Sequence, residues 1–161
     1  MSVVLTAAQA TFLQGPVSIN VAATGGDGWP LVCRAQACTV ARDRKSIHVL
    51  LSVRRARDVL DALDSGSVLA CVFSRPATHA TLQLKSQKHT RVAVTSSQRE
   101  LALRSVHAFA HELAGLGYGE ALAHGVVATM HASDLIAVRF IPEIIFDQTP
   151  GPDAGRVLAS T

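Results

Sequence analysis

The chain has 161 residues and a mass of 17.0 kDa, with 48% hydrophobic and 17% charged residues, which suits one globular domain with a substantial core. Its net charge is only +3, and 4% of its residues are aromatic. These values argue against a dedicated nucleic-acid binder, because such a protein needs extensive basic surface and stacking rings. No apolar run approaches 18 residues, so no membrane-spanning helix is expected.

The cysteines and the N-terminal sequence indicate a cytoplasmic protein. Cys33, Cys38 and Cys71 are odd in number and lack C-x-x-C spacing, so the sequence predicts neither a zinc knuckle nor a disulfide framework. The first basic residue is Arg34, and the apolar run at 3–5 is too short for the core of a secretory signal. We therefore expect three reduced thiols in the cytoplasm.

The first part of the chain predicts a leading helix and an antiparallel meander. The predicted elements are a helix at 6–15 and strands at 17–24, 31–41 and 47–52. Thr6 is a suitable N-cap for the helix and Gly15 a suitable stop. The strand at 17–24 alternates apolar and polar residues, as expected for a half-buried strand. The connections between the strands are short, which favours a meander.

The rest of the chain mixes helices and strands. The predicted elements are a helix at 52–66 capped by Ser52 or the next residue, a strand at 67–73 buried on both faces, strands at 80–86 and 90–94, a helix from Ser97 to about 115, a short helix at 120–132, and a strand at 135–146. Ser97 and Glu100 have capping-box spacing, and Pro142 favours a bulge or an edge position in the last strand. About six strands, most of them antiparallel, are most economically buried in a closed or nearly closed barrel.

Basic residues cluster early in the chain. Seven of the 15 Lys and Arg residues fall between positions 34 and 57: Arg34, Arg42, Arg44, Lys45, Arg54, Arg55 and Arg57. If the helix begins near Val53, the last three lie in its first turn, where the helix dipole disfavours cations. A bound phosphate would explain them, since free backbone N–H groups and guanidinium groups would converge on one anion. The alternative is a solvated face with i,i+4 pairs to Asp58 and Asp61, worth at most about 0.5 kcal/mol each.

A second polar set follows one face of a predicted strand. Thr81, Gln83 and Lys85 alternate with apolar residues, and such a row of donors and acceptors suits the edge of a flat heteroaromatic ring. The alternative is an ordinary solvent-facing side of an antiparallel strand.

The other constellations predict no metal site or nucleophile. His107 and His111 have i,i+4 spacing, as in a zinc protease motif. That motif requires a glutamate directly after the first histidine, whereas here Glu112 follows the second, and no third ligand has a spacing typical of a zinc site. We expect both to be surface or interface residues. The glycine-rich segment at 25–28 precedes a strand, which favours a hairpin turn over a nucleotide loop.

The order of these segments resembles a known family. CRAQACTVARDRKSIHVLLSVRRARDVLDAL, then VLACVFSRPATHATLQLKS, and finally FIPEIIFDQTPGP are similar to the pyridoxamine 5'-phosphate oxidase-like family of FMN-binding split β-barrels. The resemblance covers about residues 15–152. It implies a mainly β fold, a six-stranded antiparallel split barrel with inserted helices. We expect one flavin-binding domain over 1–161, with a leading helix at 1–15 and an extended tail at 148–161.

The resemblance also implies an FMN site. The matching positions are Arg34 for the FMN phosphate with Ala35 and Gln36 beside it, Ser52 near the phosphate or ribityl chain, Arg54 and Arg57 around the phosphate, and Gln83 and Lys85 along the isoalloxazine ring. Family members are homodimers with two FMN sites shared across the interface, so the partner would complete each site. The C-terminal segment does not match the substrate-phosphate site of the true pyridoxamine oxidases, so that activity is not implied.

The expectation is therefore an FMN-dependent oxidoreductase of unknown substrate, with no residue marked as its own acid, base or nucleophile. The alternative is a binding module on the same barrel that lacks catalysis, or one that binds haem or a deazaflavin. We expect no nucleic-acid partner and no membrane attachment.

Overall fold

The computed structural model describes residues 3–128 and 132–161. Its helices are α1 (Ala7–Leu13), α2 (Arg57–Asp64), α3 (Ser96–Gly115) and α4 (Glu120–Ala128), with a short 3-10 helix at Ala132–Asp134. Its strands are β1 (Ser18–Thr24), β2 (Pro30–Ala35), β3 (Ala37–Val40), β4 (Ile47–Ser52), β5 (Leu69–Ser74), β6 (Thr81–Ser86), β7 (His89–Val92), β8 (Leu135–Phe140), β9 (Ile144–Asp147) and β10 (Val157–Ser160). The helix predicted at 120–132 is confirmed over α4, and positions 129–131 lie outside the described residues.

Two antiparallel sheets enclose the core. One has six strands in the order β10-β9-β6-β5-β1-β2, and the other has four in the order β3-β4-β8-β7. Side chains from both sheets fill the space between them, including fully buried Val21, Phe73, Ile47 and Phe140. The two sheets do not close into one barrel, so the predicted mainly β split barrel with inserted helices is confirmed.

The predicted three-stranded meander is wrong, because the chain changes sheets at Gln36. β1 and β2 form the expected hairpin, but β3 pairs with β4 in the other sheet. Ala35 is buried in the core between the sheets, whereas Ala37 packs in a separate buried cluster with Ala102 of α3, and the Gln36 N–H donates to the Leu50 carbonyl at 2.8 Å. The predicted strand at 31–41 is therefore two strands.

The strand predicted at 135–146 also divides. β8 belongs to the four-stranded sheet and β9 to the six-stranded sheet, with Pro142 in the connection, where its missing N–H costs no ladder bond. The tail then turns back, and β10 pairs antiparallel with β9. These divisions give ten short strands within the described residues instead of about six.

Two predicted helix starts are also corrected. α2 begins at Arg57, not near Ser52. α3 is capped by Thr95 and Gln98 instead of Ser97 and Glu100: the Thr95 hydroxyl accepts from the Gln98 N–H at 3.2 Å, and Gln98 Oε1 accepts from the Thr95 N–H at 3.0 Å. The N-cap predicted at Thr6 is confirmed.

Helix α3 packs on the outer face of the four-stranded sheet. A second buried cluster joins them, formed by Ala37, Leu50, Ala102, Leu135 and Ala137. On the six-stranded sheet, the outward residues of β5, Ala70 and Val72, are only half-buried, so the prediction that this strand is buried on both faces is wrong. None of the described helices is both long enough and apolar enough to cross a bilayer.

Candidate functional site

One row of residues crosses the outer face of the six-stranded sheet. Arg34 pairs with Asn20, Asn20 with Val72, Val72 with Gln83, and Gln83 with Phe146. Because directly paired residues of neighbouring strands point to the same face, Arg34 and Gln83 lie on one surface. Three strand spacings separate them, about 14 Å.

The predicted ring-binding residues lie at the far end of this row. Lys85 follows Gln83 on the same face of β6, and its ammonium lies 5.3 Å from the centre of the Phe146 ring. Gln148 Nε2 donates to Gln83 Oε1 at 3.2 Å, so the Gln83 amide is held in one orientation. Phe146 and Gln148 were missed by the sequence analysis, since only the pairing of β6 with β9 places them beside Gln83.

A cavity of about 250 Å³ opens beside Arg34, where the chain changes sheets. Its lining comes from the end of α1, from β1, from the β2–β3 junction, and from α3 and α4. The lining residues are Leu13, Gln14, Gly15, Val17, Ile19, Cys33, Arg34, Ala35, Gln36, Ala37, Cys38, Arg55, Ser105, Val106, Phe109 and Val126. The cavity thus contains three residues predicted for the phosphate region, Arg34, Ala35 and Gln36.

Two arginines, Arg34 and Arg55, line this cavity. Arg34 stacks on Phe109, 4.4 Å from the ring centre, and burial beside the helix lowers the pKa of its guanidinium. Arg55 lines the same cavity and has an exposed side chain. Within the described residues neither guanidinium forms a hydrogen bond or an ion pair, and none of the described lining residues is acidic. The charged groups among the described lining residues are therefore all positive.

The basic cluster seen in the sequence is divided in space. Arg54, in the turn before α2, and Arg57, the first residue of α2, are exposed and are not among the described lining residues. The turn with Arg42, Arg44 and Lys45 lies at the opposite end of β4, a strand of six residues that spans roughly 20 Å. Of the three arginines near α2, the one that joins Arg34 at the cavity is Arg55, which the family resemblance did not single out.

Ser52 has a partner that sequence analysis did not anticipate. Its side chain is almost fully buried and its hydroxyl donates to Asp134 Oδ2 at 2.7 Å. The same carboxylate oxygen accepts from the Arg54 N–H at 3.1 Å, and the Asp134 carbonyl accepts from the Val53 N–H at 2.9 Å. The anion at this turn is thus a carboxylate of the chain itself.

Three thiols lie in the interior. Cys33 and Cys38 line the cavity, and Cys71 is fully buried. Burial raises the pKa of Cys33 to about 11. Burial also raises the pKa of Cys71, and electrostatic interaction with the neighbouring Cys38 and Cys33 raises it further. All three thiols are free and protonated near neutral pH.

Histidines line a separate apolar groove between α3 and α4. His107, His111 and His124 border it together with alanines and Val127. Within residues 3–128 and 132–161, no three His, Cys, Asp or Glu side chains are arranged to hold a metal ion. The pair predicted to lie on the surface is exposed.

The fold matches that of known split barrels. No family model and no curated protein sequence matches the chain. Among solved structures, a protein assigned as a pyridoxamine 5'-phosphate oxidase from Lactobacillus delbrueckii matches with a TM-score of 0.54 at 15% identity, over 88% of this chain and 93% of that one. An F420 reductase gives a TM-score of 0.53 at 11% identity, over 88% and 98%. HupZ from Group A Streptococcus gives 0.56 at 13% identity, over 94% and 99%.

These matches define the class of fold. The chain has the split-barrel fold of the pyridoxamine 5'-phosphate oxidase-like proteins, as the sequence resemblance implied.

The residues present fit an FMN site in part. Arg34, Gln83 and Lys85 share one sheet face, with a cation at one end and amide and ammonium groups at the other. Ser52 fits less well, since its hydroxyl hydrogen is engaged with Asp134. Arg54 and Arg57 are exposed, and their contact with a phosphate stays a prediction.

Proposed function

We propose that this protein is an FMN-binding flavoprotein that acts as an oxidoreductase. The observation that carries the proposal is the shared face of Arg34, Gln83 and Lys85, which presents a cation and a ring-edge donor set about 14 Å apart. A ligand with a phosphate at one end and a planar heteroaromatic ring at the other suits this arrangement. When bound, FMN supplies the hydride or electron transfer.

The residues of the chain bind and orient the cofactor in this proposal. Arg34 pairs with the phosphate, and Arg54 in the turn before α2 and Arg57 at its first position add positive charge. Gln83 and Lys85 hydrogen-bond the ring edge, and the contacts of Gln148 with Gln83 and of Phe146 with Lys85 fix these donors in place.

We further propose that two subunits share the sites across a homodimer interface. The outer face of the six-stranded sheet carries half-buried apolar residues such as Val72 and Phe146 in its middle and the exposed Val32 on β2. A second subunit on this face would exclude water from the ring.

The test is the absorbance spectrum of the purified protein, followed by titration with FMN. We expect the two flavin bands, or binding of added FMN that restores them. Arg34→Ala should weaken FMN affinity about tenfold to a hundredfold, because a charge-assisted pair is lost. Arg42→Ala removes the same charge at the far end of β4 and should leave the affinity unchanged. Colourless protein with no affinity for FMN would refute the proposal.

A second candidate is a different cofactor on the same barrel. A deazaflavin with a phosphate would use the same face, and one structural relative is an F420 reductase. Haem is favoured by one observation, the apolar groove lined by His107, His111 and His124, since histidine is a common axial ligand. A Soret band in the same spectrum would support haem. A binding module without catalysis would bind its cofactor but would not oxidise an added electron donor.

A further inference from the structure

The contact between Gln148 and Gln83 decides which end of the Gln83 amide remains for a ligand. We propose that Gln148 is a positioning residue that engages the Gln83 carbonyl oxygen, so that the ring end of the sheet face offers only hydrogen-bond donors and binds reduced FMN more tightly than oxidised FMN. This role rests on the proposed function and concerns the same site, to which it adds a residue and a direction of redox tuning.

The Gln83 amide has one engaged end and one free end. Gln148 Nε2 donates to Gln83 Oε1 at 3.2 Å, so the chain itself supplies a partner for the carbonyl oxygen. Within the described residues no group accepts a hydrogen bond from Gln83 Nε2. The amide nitrogen is a donor with two N–H groups and accepts nothing. A ligand at this position therefore meets N–H groups instead of a carbonyl oxygen.

Gln148 is held in place by the turn that follows β9. Its N–H donates to the Thr81 carbonyl at 2.9 Å, and the Thr81 N–H donates to Thr149 Oγ1 at 3.0 Å. The Thr149 N–H donates to Asp147 Oδ1 at 2.9 Å, and the hydrogen bonds from Thr149 lower the pKa of Asp147. Because these bonds fix the chain on both sides of Gln148, its side chain reaches Gln83 with little further ordering.

The neighbouring polar side chains on β6 are donors or are already engaged. The Lys85 ammonium is a donor without acceptor capacity. The Thr81 hydroxyl contacts the His79 carbonyl at 2.9 Å and the Ser74 hydroxyl at 2.8 Å. The groups that remain for the edge of a ring are therefore the donors of Gln83 and Lys85.

The charges on this face have one sign. Two rows of paired residues cross the sheet from β2 to β9: Arg34, Asn20, Val72, Gln83 and Phe146 in one row, and Val32, Ala22, Ala70, Lys85 and Ile144 in the other. These positions include the cations Arg34 and Lys85 and no carboxylate. Nothing in the two rows repels a ligand that gains negative charge.

This polarity favours the reduced flavin. Two electrons and one proton convert the oxidised ring into a reduced ring that carries an added negative charge at neutral pH, and charge beside the ring is one means by which a protein tunes a flavin. N–H donors and cations stabilise that added charge more strongly where water is partly excluded. An acceptor such as a carbonyl oxygen at the same place would oppose it.

The measurement compares the affinity of the full-length protein for oxidised FMN with its affinity for FMN reduced under anaerobic conditions. For the wild type we expect the reduced form to bind at least about tenfold more tightly, which corresponds to a rise of about 30 mV in the two-electron reduction potential. Gln148→Glu supplies only an acceptor, so the Gln83 amide should turn to donate to it and present its carbonyl oxygen to the ring. We expect the ratio of the two affinities to fall at least about tenfold in this variant.

Three further variants separate orientation from charge. Gln87→Glu makes the same change at an exposed position two residues beyond Lys85 and should alter the ratio less than about threefold. Gln148→Met removes the hydrogen bond without adding charge and should give a ratio between those of the wild type and Gln148→Glu. In a Gln83→Met background, Gln148→Glu should have no larger effect than Gln87→Glu, because Gln148 acts through Gln83.

A second readout needs no flavin. In the isotope-labelled, flavin-free protein, nuclear magnetic resonance should show slower exchange with water for the side-chain NH2 protons of Gln148 than for those of Gln83, since only the former are hydrogen-bonded within the chain. In Gln148→Glu the Gln83 protons should become the slower ones than in the wild type. Slower exchange at Gln83 than at Gln148 in the wild type would overturn the proposed orientation of the amide.

Equal wild-type affinity for the two forms of FMN would also overturn the proposal, while FMN binding itself would stand. The same holds for an unchanged ratio in Gln148→Glu, or for an equal fall in Gln87→Glu or in the Gln83→Met background. A wild-type protein that binds neither form of FMN would refute the proposed function and this role of Gln148 together. Titration of the wild type with oxidised FMN distinguishes that failure from the others.

Discussion

The Ser52 hydroxyl donates a 2.7 Å hydrogen bond to the carboxylate of Asp134, 82 positions later in the chain. Ser52 ends β4 and Asp134 directly precedes β8, the neighbouring strand in the sheet. The Asp134 carboxylate also accepts from the Arg54 N–H. This contact holds the turn before α2 and delays the start of the helix to Arg57.

Removing the Ser52 hydroxyl should destabilise the fold. Ser52→Ala removes one of the donors to the Asp134 carboxylate and the acceptor of the Arg55 N–H, and hydrogen bonds to charged groups contribute about 1.5–3 kcal/mol. We expect a loss of that size in the free energy of unfolding measured by denaturant titration. Ser65→Ala is the matched control, since the Ser65 hydroxyl donates to the Asp61 carbonyl at an exposed site and its loss should cost below about 0.5 kcal/mol. Equal effects of the two substitutions would contradict this assignment.

Stability should fall below neutral pH because of His48. Burial, with the charge of Arg139 as a second cause, lowers the pKa of His48, and its Nδ1 accepts from Gln98 Nε2 at 3.0 Å. The unfolded chain therefore takes up a proton near pH 6.5, before the folded chain does. The stabilising contribution is complete above that pH and is lost as the pH falls through the folded pKa of His48.

The measurement is the free energy of unfolding at several pH values between about 7.5 and 5, bracketing the ordinary histidine pKa. His48→Gln keeps an acceptor for Gln98 but removes the titration, so it should flatten the pH dependence. Arg139→Gln should flatten it partly. A wild-type stability that rises on acidification over this range would show the opposite sign and contradict the prediction.

Most strands and the candidate ring site were predictable because they depend on local alternation. Alternation places Gln83 and Lys85 on one face of β6 without knowledge of their neighbours. Arg34 on β2 was predictable in the same way. The capping threonine Thr6 is equally local, since its partner Gln9 is three residues away.

Long-range contacts account for what the sequence analysis missed. The change of sheets at Gln36 depends on its bond to Leu50, and no break in alternation marks it. The start of α2 depends on the contact between Ser52 and Asp134, and sequence patterns do not reveal a contact between residues 82 positions apart. Since that contact moves Arg54 and Arg55 out of the helix, the choice of Arg55 as the cavity residue also required the tertiary structure.

The three thiols should be nearly inert in the folded protein. Their pKa values are raised by burial, and the thiolate is the reactive form. We expect no reaction with a bulky aromatic disulfide at about pH 8 until the protein is unfolded in guanidinium. A small methanethiosulfonate reagent should modify Cys33 first, because it lines the cavity and is slightly more exposed than Cys38 and Cys71. Rapid modification of Cys71 in the native state would contradict this order.

The proposed dimer interface can be tested at Val32. This side chain is 69% exposed on β2, on the same sheet face as Lys85 through the pairs with Ala22 and Ala70. Lysine is tolerated on an edge strand, so Val32→Lys should fold while placing a charge in the interface. We expect the wild-type protein to be a dimer by light scattering, and Val32→Lys to dissociate into monomers at a higher protein concentration than the wild type. FMN binding should also weaken in Val32→Lys, because each site would lose the residues that the second subunit contributes.

Leu116→Lys is the matched control for this test. Leu116 is also exposed, at 44%, but it lies at the C-terminal end of α3, so its substitution should leave the dimer intact. If Val32→Lys and Leu116→Lys gave the same dimer dissociation constant as the wild type, the subunits would meet through another surface. The face that carries Arg34 and Gln83 would then bind its ligand within one subunit, and FMN affinity would not depend on protein concentration.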